Sequence, residues 1–283
     1  MASITRITEV DDPRLEDYRE LRDADLRGAR KLFTIESERV LSRFLQSDWA
    51  PESILVEEDV ADRLRRSLDS VDASVPVFVA GQGLLRSITG YGFHGGALAL
   101  GNRKGVRNEI HQIESILSQD RVTLLAAEGV VHVDNVGALF RNGACIGTDG
   151  ILLSPTCSDP LLRKAIRIST GRVFEVPWLI CTDWLETLQH LQDHYQFKII
   201  ALENNESAVD IELMECGARN LILVGAEGHG IESETLAICD QTVQIPTGTG
   251  QTVESMNVAV ASAIGLHELG RRRRRAENLD FGS

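Results

Sequence analysis

Residues 221–231 read LILVGAEGHGI. The opening apolar run breaks abruptly into glycine, a carboxylate and two further glycines. An uninterrupted apolar run is what a β-strand covered on both faces requires, because neither face meets water. The glycines then let the backbone turn sharply and approach a neighbour closely. Working outward, five further runs read as strands: VTLLAAE (122–128), GILLSP (150–155), VFEVPWL (173–179), KIIALE (198–203) and TVQIP (242–246). Helical patterns lie between them. Alternation of strand and helix predicts a parallel, doubly wound α/β sheet. Glycine-rich turns at the carboxyl ends of such strands are where this architecture holds ligands. The competing reading is a plain tight turn in which Glu227 caps neighbouring amides.

Two other segments carry chemistry. Residues 135–147, NVGALFRNGACIG, follow the first strand directly. Asn135 suits the first position of a helix, where its side chain accepts backbone N–H groups. Arg141 follows six residues later, about 9 Å along a helix axis; the competing reading, which this segment alone favours, is an ordinary strand-to-helix junction with a surface Arg. Residues 245–261, IPTGTGQTVESMNVAVA, contain GTGQT, which invites a phosphate-loop reading. That reading fails, because Gln251 stands where the phosphate-contacting Lys belongs and Ile245 where the earlier Gly belongs. The loop reads instead as a backbone cradle leading into an apolar helix over 255–271, with Ser255 as its cap and Asn257 in its first turn. The dinucleotide fingerprint GxGxxG is absent, and so is the GxSxG of serine hydrolases. His190 and His194 are four apart but lack the Glu beside the first His that zinc peptidases use.

The first hundred residues have a different texture. Residues 1–12 read as a loose arm and 30–44 as a helix. SILVEE (53–58) reads as a strand, 59–70 as a charged helix, VPVFVA (75–80) as a strand and GLLRSITG (83–90) as a short helix. A glycine cluster at 91–96 leads into the apolar run ALAL (97–100). Alternation on this scale predicts a small α/β/α layered domain. GNRKGVRN (101–108) suits a linker.

A length of 283 residues fits two domains at roughly 150 residues each. Hydrophobic residues at 43% and charged residues at 25% exclude collagen-like and coiled-coil classes. No run of about 18 apolar residues exists to span a membrane, and the N-terminus has no signal-peptide core. Cys145, Cys157, Cys181, Cys216 and Cys239 are odd in number and form no CxxC, against a disulfide framework or zinc ribbon. Reducing cytoplasm is the expected compartment. The net charge of −13 argues against a polyanionic partner, yet its distribution does not. Arg141, Arg163, Lys164, Arg167 and Arg172 cluster within 141–172, and residues 271–275 are five consecutive Arg. An acidic body with one basic segment can focus a polyanion onto one place; the competing reading, a solvated helix face, is the one that charge alone favours.

The three motifs, in this order, resemble those of the SpoU (TrmH-like) family of RNA ribose 2′-O-methyltransferases. NVGALFRNGACIG looks like the family's first motif, LVGAEGHGI its second and IPTGTGQTVESMNVAVASA its third, together covering about 120–270. IESERVLSRFL, SILVEE and FHGGALAL resemble, more loosely, the family's N-terminal substrate-binding domain. The resemblance implies an RNA-binding domain over 1–105 and a methyltransferase domain of the SPOUT type over 115–270; by its charge, 271–283 reads as a basic, disordered tail. It implies a trefoil knot, a rare topology, and a homodimer through the C-terminal domain, with active sites near the interface. It implies S-adenosyl-L-methionine as cofactor, no metal, and rRNA or tRNA as substrate. The implied cofactor residues are Leu223, Gly225, Glu227, Gly228, Ile245, Ser255, Met256 and Asn257. Met256 stands where the family usually has Leu. The implied catalytic set is Arg141 with Asn135, Glu227, Ser255 and Asn257. For Arg141 two roles stay open: base toward the ribose hydroxyl, or bidentate phosphate anchor, since a guanidinium keeps its proton in nearly all proteins. Two alternatives of other classes are a non-catalytic RNA-binding homologue and a base methyltransferase of the wider knotted superfamily. The intact Asn135, Arg141, Glu227 and Asn257 count against the first; NVGALFR and SMNVAVA count against the second.

Overall fold

The computed structural model describes residues 3–19, 30–81, 83–89, 95–106, 110–246 and 256–280. The chain forms two compact units, one of Met1–Val106 with Pro160–Glu175, the other of Arg107–Asp159 with Val176–Ser283.

The first unit is built on strands β1 (Ser3–Ile7), β2 (Leu32–Glu36), β3 (Pro51–Glu57), β4 (Pro76–Ala80) and β5 (Ala97–Asn102), in the order β1-β4-β3-β5-β2. β1, β4 and β3 run parallel, while β5 pairs antiparallel with both β3 and β2. The arm expected at the N-terminus is therefore partly an edge strand. The helix expected over 30–44 is corrected as well: its first half is β2 and only Glu38–Leu45 is helical. Leu32, Phe33, Thr34 and Ile35 are all buried, so both faces of this edge strand are covered and the apolar spacing carries no strand period. Ser37, at φ +86°, divides strand from helix. The charged helix over 59–70 is two short helices, Glu58–Arg63 and Arg65–Asp69.

Residues 160–175 belong to this unit, although they lie within the span read as the methyltransferase domain. Phe174 explains why: its ring sits 5.0 Å from Phe44, 5.6 Å from Phe33 and 6.0 Å from Trp49. Arg163 pairs with Glu36 at 2.7 Å and Arg43 with Glu175 at 2.9 Å. Residues 173–179 accordingly do not form one strand. Arg172–Phe174 is a 3₁₀ turn anchored in the first unit, and only Trp178–Ile180, after Pro177, is a strand of the second.

The second unit has strands β6 (Val122–Ala127), β7 (Gly150–Leu153), β8 (Trp178–Ile180), β9 (Lys198–Leu202), β10 (Val209–Asp210), β11 (Arg219–Val224) and β12 (Gln241–Gln244). Every pairing is parallel, in the order β10-β12-β9-β11-β6-β7-β8. β6 is buried along its whole length, as the apolar run demanded. The chain builds outward from β6 to β8, then returns to the other side, where β11 inserts between β9 and β6. A reversal of this kind opens a crevice at the carboxyl ends of the strands.

The last helix, Val258–Asp280, corrects the expectation of a disordered tail. Arg271 and Arg272 pair with Glu268 at 2.6 and 2.7 Å, and Arg273 donates to Thr123 Oγ1 at 2.5 Å and to the carbonyls of Val122 and Ala218, both at 2.8 Å. The hydrogen bond from Arg271 holds the Glu268 carboxyl below the usual carboxylate range. Arg271, Arg272 and Arg273 thus extend the helix by finding an acid and backbone carbonyls at the amino-terminal edge of the sheet. No helix among the described residues is long and apolar enough to cross a membrane.

Candidate functional site

The helix Val133–Ile146 follows β6. Asn135 was expected at its first position; the helix begins two residues earlier, so Asn135 lies in the first turn and its side chain faces outward to partners instead of capping. Its amide nitrogen donates to the Glu227 carboxylate. Its amide oxygen accepts from Asn257 Nδ2 at 3.1 Å. Asn257 Oδ1 in turn accepts the backbone N–H of Ala259 at 3.0 Å, so Asn257 caps the last helix, the role expected of Ser255. Ser255 and the GTGQT loop lie outside the described residues. One residue from each of the three motifs, 92 and 122 positions apart, thus joins a single hydrogen-bonded chain.

The turn after β11 is held tightly. Ala226 and Gly230 exchange two backbone hydrogen bonds at 3.1 and 3.0 Å. A Cβ on Gly225 would overlap the backbone of Gly230 and Ile231, and Gly230 sits at φ +72°. Both glycines are demanded by geometry. Behind the turn, buried Glu128 at the end of β6 accepts the Glu232 N–H at 3.0 Å and the Thr235 hydroxyl at 2.6 Å, fixing the start of the helix Ser233–Ile238.

A cavity of about 310 Å³ opens at the carboxyl ends of β9, β11 and β12. Leu202, Val224, Val243, Ile245, Met256 and Val258 form its apolar wall. Gly225, Ala226, Glu227, Gly228, His229 and Gly230 supply a backbone-rich rim. Of the expected cofactor residues, Gly225, Glu227, Gly228, Ile245 and Met256 line this cavity. Leu223 and Asn257 do not: Asn257 is held by Asn135 and caps the last helix, while Leu223 is fully buried in the core beside Leu221 and Ala126, and Val224, one residue on, takes its place. Successive strand residues face opposite sides of a sheet, so a shift of one position decides the matter.

Arg141, expected to act on the RNA and not on the cofactor, stands apart from the cavity. It is exposed, and among the described residues no ion pair or hydrogen bond holds its guanidinium. It is not among the residues lining the cavity. Six helical residues turn the chain through about 600°, which leaves Arg141 about 120° around the axis from Asn135. Asn142 shares the Asn135 face instead, and its amide donates to the carbonyl of Ala259 at 2.7 Å. The seven-residue spacing was the signal that could have found it. Glu203 and Asn204, also in the cavity wall, belong to no motif; their place at the end of β9 was the only clue.

The family model for the SpoU rRNA Methylase family matches residues 123–267. An uncharacterized tRNA/rRNA methyltransferase of Mycobacterium tuberculosis is 30% identical over 269 residues, covering 93% of this chain and 90% of that protein. A 23S rRNA (guanosine-2'-O-)-methyltransferase of Acinetobacter baylyi is 28% identical over 243 residues, with 86% and 93% covered. The crystal structure of an AdoMet-bound rRNA methyltransferase from Sinorhizobium meliloti superposes with a TM-score of 0.79 at 20% identity, covering 95% of this chain and 98% of that one, which shows a shared fold.

Proposed function

The chain belongs to the SpoU rRNA methylase family, and from that premise we propose that it transfers a methyl group from S-adenosyl-L-methionine to a ribose 2′-hydroxyl of structured RNA, ribosomal or transfer. It is an RNA methyltransferase. The observation that carries the reading is the hydrogen-bonded chain Glu227–Asn135–Asn257, which ties the three motifs together at the mouth of the cavity.

The cavity suits the cofactor. Its apolar wall fits an adenine ring, its glycine turn offers backbone groups without side-chain obstruction, and its carboxylates suit a cationic group. S-adenosylmethionine supplies a sulfonium methyl that is already activated for transfer. The protein's task is then to orient the ribose hydroxyl and help its proton leave, a problem of proximity. Glu227 and Asn257 fix Asn135, and with it the start of the helix that carries Arg141. Arg141 acts on the RNA, as base or as bidentate anchor for a phosphate beside the reacting hydroxyl.

The same reading includes a threaded, knotted course for the segment after β12, an RNA-binding role for the first unit, and a cytoplasmic location, in keeping with five free cysteines. It also includes a homodimer. An apolar groove of about 610 Å³ between the helices Val133–Ile146 and Val258–Asp280 supports it, lined by Ala138, Asn142, Ile146, Val260 and Ile264. Ile146 and Val260 are 37% and 49% exposed there, which a second copy would cover. Arg141 is one turn from Ala138 and flanks this groove, so dimerisation would bring it to the interface. Light scattering is expected to give twice the chain mass; a monomer that still transfers methyl groups would refute the dimer.

Calorimetry with S-adenosylhomocysteine tests the cofactor assignment. Binding is expected well below millimolar concentration, and none up to that limit, about −4 kcal/mol, would overturn the reading. Mapping 2′-O-methyl positions in total RNA with and without the protein identifies the target nucleotide; no difference between the two maps counts against ribose methylation.

A further inference from the structure

Glu203 is a part of the cavity wall that the three motifs leave unexplained. It stands at the carboxyl end of β9, half-buried. One carboxylate oxygen accepts the Ile231 N–H at 3.0 Å and the other accepts the Asn204 N–H at 3.0 Å. Gly230 packs so closely that a Cβ there would overlap the carboxylate. Glu203 therefore holds the end of the glycine turn from a neighbouring strand. Two amides leave a carboxylate with acceptor sites to spare, and neither amide cancels its charge. Glu227, the other carboxylate of the wall, is engaged by the neutral amide of Asn135. Among the described lining residues there is no Lys or Arg.

We infer that Glu203 is a charge-selective residue of the cofactor site, favouring the cationic sulfonium over the neutral thioether by-product. The inference rests on the cofactor reading above. In the transfer, the ribose oxygen bonds to the methyl carbon, the carbon–sulfur bond breaks with its electron pair remaining on sulfur, and the hydroxyl proton passes to solvent. Sulfur thereby loses its positive charge. A fixed carboxylate in the wall holds the ligand more firmly before that step than after it, which favours release of the by-product. One elementary charge about 6 Å away, screened in a solvent-open cavity by an effective dielectric of about 40 to 80, changes such an affinity ratio by about three- to tenfold.

The test is calorimetry on the full chain with three ligands: S-adenosylmethionine, sinefungin, which carries an amine-bearing carbon in place of the sulfonium, and S-adenosylhomocysteine. Glu203→Gln keeps the shape and an oxygen to accept one N–H. Affinities for the two cationic ligands are expected to fall about three- to tenfold relative to S-adenosylhomocysteine. An equal loss for all three, or no loss, overturns the inference and leaves Glu203 as a brace for the turn. The wild-type protein gives a second measurement that does not depend on the variant folding. Raising the salt from 0.05 to 0.5 M should weaken the cationic ligands selectively, because screening acts on the charge and not on the brace. Salt-independent ratios overturn the inference equally. If the wild-type protein binds none of the three, it is the cofactor reading that has failed.

Discussion

Gly225→Ala is expected to lower the affinity for S-adenosylhomocysteine by about a hundredfold, or about 2.7 kcal/mol. The added methyl would occupy the same space as the backbone of Gly230 and Ile231. Neither is the movable end of a flexible side chain. The turn must therefore open, which breaks the paired hydrogen bonds between Ala226 and Gly230 and withdraws Glu227 from Asn135. Both changes distort the rim of the cavity. Gly228→Ala is the matched comparison. A Cβ at Gly228 meets nothing within 4 Å, so the protein should accept it with little change in melting temperature. Affinity should then fall only to the extent that bound ligand fills that space. Melting temperature and calorimetry on both variants separate the two effects. If Gly225→Ala binds within about threefold of wild type, the cavity at the end of β11 is not the cofactor site.

The legible parts of this chain are those where a local pattern and its tertiary use coincide. β6, β9 and β11 are buried on both faces, so their apolar runs state their fate directly. The convergence of Asn135, Glu227 and Asn257 follows from the architecture, because glycine turns and helix starts gather at one edge of a parallel sheet. What escaped depends on partners that no window of sequence contains. Phe174 is as apolar as the strand residues beside it, and nothing in it says that Phe33, Phe44 and Trp49 will claim it for the other unit. Consecutive arginines read as a solvated tail until Glu268 and the carbonyls of Val122 and Ala218 are known to lie within reach. Glu203 is invisible because a carboxylate at a strand end becomes a wall residue only once the turn after β11 folds against it.

Arg141→Ala is expected to lower single-turnover methyl transfer by about 10²- to 10³-fold while the affinity for S-adenosylhomocysteine stays within about twofold. The separation follows from where the residue stands. Arg141 is exposed, lines no part of the cavity and is rotated away from Asn135, so its removal leaves the cofactor wall and the Glu227–Asn135–Asn257 chain intact. Its guanidinium is also unclaimed by any acid among the described residues, in a protein whose net charge is −13. A cation left without an ion pair on an acidic protein is available to an anionic ligand, and RNA phosphate is the anion this reaction brings. Loss of an interaction made at the reacting nucleotide lowers turnover without a matching loss of cofactor binding. Arg141→Lys then distinguishes the two roles. A lysine keeps the charge but not the planar fork, so a phosphate anchor should retain part of its attraction while losing bidentate geometry. A role as base should instead respond to the lower proton affinity of lysine, and turnover should rise with pH as the amine deprotonates. Near-wild-type single-turnover rates for Arg141→Ala on the methylated RNA's unmodified form would show that the catalytic centre lies elsewhere.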